Sequence, residues 1–272
     1  MAHLFGLLSS SSLSESVKNL LRIAFCRAAI QVANVSFGHQ SMSFRKRTHS
    51  SALFEDDFVP SLGPLFWRVF EEVAASARVP AGSGSIKVHL GDSRNLIEVL
   101  PRRDFTAVIT SPPYPNRMSY IRELRPYMYW LGYLKSGRQA GELDWQAIGG
   151  TWGCATSNLM KWKPNKSVII PDRDFDAMIE KIRGHSEVLA RYVHKYFEDA
   201  VLHVYSLRRV LASGAAVFYV VGNSKFYDVM VPVESIYAEI FRSAGFHRTS
   251  IEKIRKRTSK KELYEYVVSA IA

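Results

Sequence analysis

Apolar residues recur at helical spacing in two segments near the start of the chain. The first covers residues 14–35, with Ser14 or Ser16 as its N-cap, and the second covers residues 61–78. Both patterns are typical of amphipathic helices that bury one face. Residues 1–79 are therefore predicted to form an N-terminal helical segment, which also contains an exposed basic loop around residues 43–47.

Short apolar runs alternate with a helical pattern in the next part of the chain. IKVHL at 86–90 and FTAVIT at 105–110 predict strands, and NLIEVL between them predicts a short helix. Strands separated by helices are typical of a parallel sheet with crossover connections. We therefore expect an α/β fold, with residues 80–134 as the first part of its core.

The last third of the chain repeats this alternation. Apolar pairs recurring every four residues from about residue 185 predict a long amphipathic helix, and Gly214 is expected just after its C-terminal end. AAVFYVVGN at 215–223 predicts a buried strand, and a further helix is expected to end at glycine near residue 245. Two closing antiparallel strands follow, joined by a polar turn at 258–261. Residues 185–272 would form the second part of the core, separated from the first by an insertion at 135–184.

Composition narrows the classes of function. The 36 Lys and Arg residues outnumber the 25 Asp and Glu residues, which gives a net charge of +11 and favours a polyanionic partner such as nucleic acid. Cys26 and Cys154 form no Cys-x-x-Cys pattern, and the histidines show no ligand-like spacing, so the sequence suggests neither a zinc site nor metal catalysis. No apolar run is long enough for a membrane helix, and we expect an intracellular, cytoplasmic protein with no membrane partner.

Three predicted strand ends carry residues suited to ligand binding. They are Gly91-Asp92, Ser111-Pro112-Pro113-Tyr114 and Gly222-Asn223-Ser224. In an open α/β sheet, ligands bind outside the carboxyl ends of the strands. The alternative is an ordinary N-cap at Asp92 and ordinary turns at the other two positions.

The Ser-Pro-Pro-Tyr segment has the most specific chemistry. Each proline lacks an N–H and fixes φ, so the segment should be a rigid, extended element at the tip of a buried strand. It would present carbonyl acceptors between a hydroxyl group and an aromatic ring, which suits a planar ring that bears an exocyclic amine. Ser111 Oγ and the Pro112 carbonyl oxygen would accept from the amine, and the ring would stack on Tyr114. These bonds would orient the amine nitrogen for attack on an electrophile.

The run ITSPPYPNRMSYIRELR resembles the catalytic motif of the DNA methyltransferases that methylate amino groups with S-adenosylmethionine. The Ser-Pro-Pro-Tyr form is similar to the cytosine-N4 group, because adenine-N6 enzymes more often carry Asp or Asn at the position of Ser111. Asn116, Arg117 and Tyr120 add to the resemblance. It implies a Rossmann-like sheet closed by an antiparallel hairpin, with Ser111, Pro112, Pro113 and Tyr114 as the catalytic residues.

The resemblance also implies the cofactor and the partners. VHLGDSR is similar to a strand of the family whose acidic residue contacts the adenine of S-adenosylmethionine, and that role would fall to Asp92. The substrate would be double-stranded DNA with the target base flipped out, since a stacked amine cannot reach a cofactor. The insertion at 135–184 is the candidate for target recognition, and a cognate restriction endonuclease would complete a restriction–modification pair.

The sequence departs from the family at one place. The family has a Phe-x-Gly-x-Gly loop after its first strand and a ribose-binding acid after the next, and neither is found here. The sheet is therefore expected to be incomplete at its first strands, and a complementary methyltransferase fragment is a candidate partner. Two alternatives stay open: methylation of adenine N6 or of an RNA base, and a non-catalytic DNA-binding fragment with salt-dependent binding.

Overall fold

The computed structural model describes residues 2–36, 43–44, 62–79, 82, 84–101, 103–115, 119–150, 155–257 and 262–272. The chain divides into two compact units. The first consists of Met1–Ile86 and Arg122–Lys135, and the second of Lys87–Ile121 and Ser136–Ala272.

The described residues form both helices and strands. The helices are α1 (Ala2–Ser10), α2 (Glu15–Val32), α3 (Leu62–Ala77), α4 (Leu96–Val99), α5 (Tyr120–Trp130), α6 (Gly137–Gln146), α7 (Ala155–Lys161), α8 (Phe175–His185), α9 (Glu187–Arg208) and α10 (Val233–Ser243). The strands are β1 (Val35–Ser36), β2 (Ser43–Phe44), β3 (Phe105–Thr110), β4 (Leu211–Gly222), β5 (Ser224–Phe226), β6 (Val229–Val231), β7 (His247–Lys256) and β8 (Tyr264–Ile271).

The first unit is organised around the pair of helices α2 and α3. Ala24 and Ala28 of α2 are fully buried against Leu65, Val69 and Val73 of α3. Small alanines let the two helices approach closely, while the larger α3 side chains fill the space between them. Both helices were predicted from the sequence, and the Ser14 side chain caps α2 by accepting from the Val17 N–H.

The second unit contains the main sheet. In the described part of the chain this sheet has four strands in the order β3-β4-β8-β7. The β3–β4 pair is parallel, as the sequence predicted, whereas β8 runs antiparallel to both β4 and β7. The protein is therefore a mixed α/β structure with a mixed sheet, and the predicted closing hairpin is confirmed.

The two faces of this sheet differ in burial. Ala215, Val217, Tyr219 and Val221 of β4 are buried in one core with apolar residues of α9 and α10. On the opposite face, Phe218 is 41% exposed and its neighbour on β3, Ile109, is 81% exposed. Parallel strands are usually covered on both faces. Within the described residues, one face and the β3 edge of this sheet remain uncovered.

The prediction of a strand at 86–90 is wrong. This segment joins no sheet, and Ile86, Val88 and Leu90 are 76%, 92% and 102% exposed. Its alternating pattern suits a strand, but a strand is stable only when a neighbour accepts its backbone hydrogen bonds and its apolar face is covered. The next prediction is confirmed, since a 3₁₀ turn at Ser93–Asn95 leads into the short helix α4.

Gly214 does not end the long helix, contrary to the sequence prediction. Helix α9 stops at Arg208, and Gly214 lies inside β4 with φ of +80°. The register from Phe105↔Leu211 to Ala107↔Ala216 places extra residues on β4 at this point. The glycine therefore serves an irregular bulge of the strand, where a positive φ is needed. At α10 the prediction is correct: the helix ends at Ser243, just before Gly245 with φ of +83°.

Glu234, in the first turn of α10, is predicted to make stability depend on pH. Its Oε2 is buried without a hydrogen-bond partner in the described chain, and burial raises the pKa of this carboxyl above its usual range. A raised folded-state pKa means that its contribution to stability is present at acid pH and lost as the pH rises from about 4.5. We expect Glu234→Gln to increase the free energy of unfolding at pH 7 by roughly 1 kcal/mol.

Urea unfolding of both proteins between pH 4 and pH 8 measures this effect. The difference between Glu234→Gln and the unmodified chain should shrink toward pH 4. Glu239→Gln on the same helix is the control, because the Glu239 side chain is 43% exposed and paired with Arg242. Equal pH dependence in the unmodified chain and Glu234→Gln would contradict the assignment.

Candidate active site

The Ser-Pro-Pro-Tyr segment lies at the carboxyl end of β3. The last residue of the strand, Thr110, is paired with Tyr219 of β4, so both parallel strands end at the same edge. Pro112 is buried and Ser111 is exposed, because the prolines end the ladder and turn the chain outward. The structure therefore brings together two of the three strand ends that the sequence singled out, those at Ser111–Tyr114 and at Gly222-Asn223.

Gly222 makes room for the Tyr114 ring. A Cβ atom at Gly222 would lie 2.9 Å from both Cδ2 and Cε2 of Tyr114, which is closer than real Cβ atoms approach a ring. Any larger residue at this position would have to displace the ring. The glycine at the end of β4 therefore permits a close approach of the Tyr114 ring. From the sequence, an ordinary turn was the alternative interpretation of Gly222-Asn223.

Tyr196 of α9 anchors the motif from inside the protein. Its buried hydroxyl donates to the Pro113 carbonyl oxygen at 2.6 Å and lies 3.3 Å from the Tyr237 hydroxyl. In the described part of the chain no donor reaches the Pro112 carbonyl oxygen. The two proline carbonyls therefore differ: one holds the segment in place, and the other remains open as an acceptor.

The two side chains that flank the prolines lie next to each other. Ser111 Oγ is 3.5 Å from the Tyr114 hydroxyl, so a hydroxyl group and an aromatic ring border the same small region. Burial raises the pKa of the half-buried Tyr114, so its phenol stays neutral at physiological pH. A neutral ring beside a hydroxyl group suits stacking with a planar polar ring.

Asn223 ties the end of β4 to the closing hairpin. Its Nδ2 donates to the Glu262 carbonyl oxygen at 3.0 Å, and its Oδ1 accepts from the Tyr264 N–H at 2.9 Å. Its own carbonyl oxygen accepts from Arg257 Nη1 at 3.2 Å, and this guanidinium lies over the Tyr114 ring. The sequence did not indicate Arg257, because only the folded hairpin brings it to the motif.

Asp92 has the capping role that the sequence left open as an alternative. Its Oδ1 accepts from the Arg94 N–H at 2.9 Å, and its Oδ2 lies 2.7 Å from Arg94 Nη2. The Arg94 side chain lowers the pKa of Asp92. Because the predicted strand at 86–90 is not formed, Asp92 does not follow a strand. Its carboxylate is occupied by Arg94, and its role toward a cofactor stays a prediction.

Helix α9 supports the Asp92 segment as well as the motif. His203 contacts the Ser93 carbonyl oxygen at 2.9 Å and the Tyr219 hydroxyl at 2.7 Å, and burial lowers its pKa. Ser206 Oγ accepts from the Leu96 N–H at 2.7 Å. Arg94 reaches the buried Asp199 of the same helix at 2.7 Å. Helix α9 thus anchors both segments through partly buried polar contacts.

The insertion at 135–184 is largely helical, with α6, α7 and α8. Two of its tryptophans pack within the second unit: Lys195 lies 4.8 Å from the Trp145 ring, and Trp162 packs edge-on against His194. Its lysines are exposed, including Lys161, Lys163 and Lys166. Several predicted features lie outside the described residues: loop residues 45–47, Asn116, Arg117, Trp152, Cys154 and the turn at 258–261.

No group of three His, Cys, Asp or Glu side chains is arranged to hold a metal ion in the described part of the chain. None of the helices described above is both long and apolar enough to cross a membrane.

The chain is similar in sequence to type II DNA methyltransferases, although no family model matches it. Type II methyltransferase M.BsoBI from Geobacillus stearothermophilus is 27% identical over 199 residues, which cover 63% of this chain and 38% of the relative. Type II methyltransferase M.AvaI from Nostoc sp. is 27% identical over 173 residues, or 58% of this chain and 34% of the relative. The chain thus spans little more than a third of the length of these relatives.

A solved structure shows a weaker likeness. It is a protein from Thermus thermophilus described as a DNA modification methylase, with 15% identity and a TM-score of 0.33. The likeness covers 69% of this chain and 54% of the other. A TM-score this low carries no argument about the fold, so the relationship rests on the sequence.

Proposed function

We propose that this chain provides the base-binding part of a DNA methyltransferase that methylates the N4 amine of cytosine. The observation that carries the proposal is the Ser-Pro-Pro-Tyr segment at the end of a parallel strand, with one proline carbonyl anchored and the other open. The sequence relationship to type II methyltransferases supports the reaction class. The serine at position 111 supports cytosine over adenine.

The motif would bind the target cytosine through its amine and its ring. Ser111 Oγ and the Pro112 carbonyl oxygen would each accept one amine hydrogen, and Tyr114 would stack on the ring. These bonds would hold the nitrogen lone pair out of conjugation, so the nitrogen could attack the methyl group directly. The methyl donor would leave as a neutral thioether, and the methylated amine would release one proton. No side chain would form a covalent bond to the base, and neither cysteine belongs to the motif. S-adenosylmethionine would supply an electrophilic methyl group.

The described residues fit S-adenosylmethionine only in part. Asp92 is the one proposed cofactor residue, and its carboxylate is bonded to Arg94 at 2.7 Å. The chain contains no glycine loop of the Phe-x-Gly-x-Gly form after a strand that could receive the methionine part of the cofactor. We therefore assign the base-binding half of the site to this chain and derive no step for the cofactor half.

We propose that a complementary methyltransferase fragment supplies the remaining half. Within the described residues, the β3 edge and one face of the sheet are uncovered, which supports this proposal. Ile109 of the parallel strand β3 is 81% exposed, whereas such strands are normally covered on both faces. Ile86, Val88 and Leu90 nearby in the sequence are also exposed and carry the alternating pattern of a strand. The matched segment covers only 38% of M.BsoBI, so the rest of that relative shows what such a fragment could contain.

The DNA partner is proposed to be a duplex from which the target base is flipped. The net charge of +11 supports binding to phosphates. Within the insertion, the exposed Lys161, Lys163 and Lys166 are the candidates for target recognition, since Trp145 and Trp162 are partly buried and contact Lys195 and His194. A restriction endonuclease that cuts the same sequence would be the cognate partner of the methyltransferase.

Base mapping in a host without DNA methylation tests this proposal. The chain is expressed alone, and in parallel together with the part of M.BsoBI that it does not match. Modified bases are then mapped across the genome by single-molecule sequencing. We expect N4-methylcytosine in one short sequence in the strain that contains both fragments, whether or not the chain alone is active.

Each result of the mapping has a clear meaning. Methylation by the chain alone would show that it binds the cofactor without a partner. N6-methyladenine in place of N4-methylcytosine would overturn the choice of base. A soluble, folded chain that leaves the genome unmodified in both strains would overturn the enzymatic proposal.

A further inference from the structure

The Tyr114 ring is enclosed from one side by the closing hairpin. The guanidinium carbon of Arg257 lies over the ring, 5.5 Å from its centroid, and Gly222 lies against the edge formed by Cδ2 and Cε2. Planar guanidinium groups stack on aromatic faces and are attracted by the negative charge above the ring. One face of Tyr114 is therefore occupied by the protein itself.

Arg257 is held in place at both ends. Its backbone N–H donates to the Leu263 carbonyl oxygen at 2.8 Å, and its Nη1 donates to the Asn223 carbonyl oxygen at 3.2 Å. Asn223 is in turn bonded to both Glu262 and Tyr264. A long surface arginine normally samples many rotamers, whereas this one is fixed by a network at the hairpin base.

Arg257 forms no ion pair within the described part of the chain. By contrast, Arg255 of β7 is paired with Glu265 at 2.6 Å, and Lys225 of β5 is paired with Glu262. In the described part of the chain, the guanidinium group of Arg257 contacts the Tyr114 ring and the Asn223 carbonyl oxygen. An arginine that serves only to link the hairpin would be expected to use a neighbouring carboxylate.

We propose that Arg257 is a positioning residue: it covers one face of Tyr114 and fixes the ring, so that a flipped pyrimidine stacks only on the opposite face. The proposal rests on the base-binding role proposed above for the Ser-Pro-Pro-Tyr segment. It predicts that the orientation of the base depends on a residue about 140 positions further along the chain, from the closing hairpin.

A test by NMR follows the Tyr114 ring directly. The protein is labelled with ring-¹³C tyrosine, and Tyr114→Phe identifies the Tyr114 signal by its absence. A single-stranded oligodeoxycytidine is the ligand, because its bases need no flipping and no cofactor is required. We expect the Tyr114 signal to shift on addition of the oligonucleotide.

Three substitutions separate stacking from charge. Arg257→Ala should change the Tyr114 chemical shift in the free protein. It should also lower the affinity for the oligonucleotide, measured from the Tyr114 titration, by roughly tenfold. Arg257→Lys keeps the charge but loses the planar stack, so it should recover only part of the affinity. Lys256→Ala removes the same charge from the exposed neighbouring position and should leave the Tyr114 signal of the free protein unchanged.

The outcomes decide the proposal without reference to methylation. Arg257 would be only a structural link if Arg257→Ala left the Tyr114 signal unchanged, or if Arg257→Lys bound the oligonucleotide as tightly as the unmodified chain. An unmodified chain whose Tyr114 signal does not respond to oligodeoxycytidine would also overturn the proposal. An intact response in a chain that never methylates DNA would instead overturn the proposed enzymatic function alone.

Discussion

Tyr114→Ala is expected to lower methyl transfer by about a hundredfold or more in the active enzyme, whether that is the chain alone or the chain with its complementary fragment. Stacking on an aromatic side chain is worth roughly 1–3 kcal/mol per base, and loss of orientation of the amine adds to this. The ring is only half-buried, so the fold should tolerate its removal. Incorporation of tritiated methyl groups into unmethylated genomic DNA measures the effect.

Tyr133→Ala is the matched control for this prediction. Tyr133 is 67% exposed and lies in the first unit, away from the motif in the chain. Both variants should unfold within a few degrees of the unmodified chain in a thermal melt. Near-normal turnover by Tyr114→Ala would mean that the motif does not bind the base.

Pro112→Ala tests the same segment through its backbone. Alanine restores an N–H and frees φ, so the Pro112 carbonyl oxygen would lose its fixed direction. We expect methyl transfer to be abolished or nearly so. Because Pro112 is buried, the substitution should also lower the free energy of unfolding, but this effect should be smaller than the effect on transfer. An unchanged rate would show that the rigidity of the prolines is not needed.

Asp199→Ala is expected to have the largest effect on stability. Asp199 is 4% exposed and forms ion pairs with two side chains, Arg94 at 2.7 Å and Lys195 at 2.6 Å. Removing one member of a buried ion pair leaves uncompensated charge and typically costs about 3–5 kcal/mol. Urea unfolding at pH 7 measures this loss.

Asp92→Ala is an internal control for that measurement. Asp92 binds the same guanidinium, also at 2.7 Å, but its side chain is 53% exposed. Exposed ion pairs contribute at most about 1 kcal/mol, so the two substitutions should differ clearly in the free energy of unfolding. Equal losses would mean that burial does not decide the strength of these pairs. Asp92→Ala also serves as the variant for measuring affinity for S-adenosylmethionine.

The local patterns of the sequence predicted most of the second half of the chain. Helix α9, strand β4 and helix α10 have long apolar patterns, and each of these elements is present, as is the closing hairpin. The predictions were wrong where the apolar pattern was short, or where they depended on a single residue. IKVHL has the alternation of a strand but no neighbour to pair with, and Gly214 has the chemistry of a helix end but serves a bulge.

The sequence by itself determined the candidate chemistry, because two prolines between a serine and a tyrosine restrict the backbone whatever surrounds them. It also determined the strand that precedes them and the positive charge of the chain. Only the tertiary structure decided which groups surround Tyr114. Gly222, Tyr196 and Arg257 come from three distant segments and meet at the motif through the parallel β3–β4 pair, the helix α9 and the hairpin. Contacts between residues so far apart in the chain depend on packing, which no local pattern of residues records.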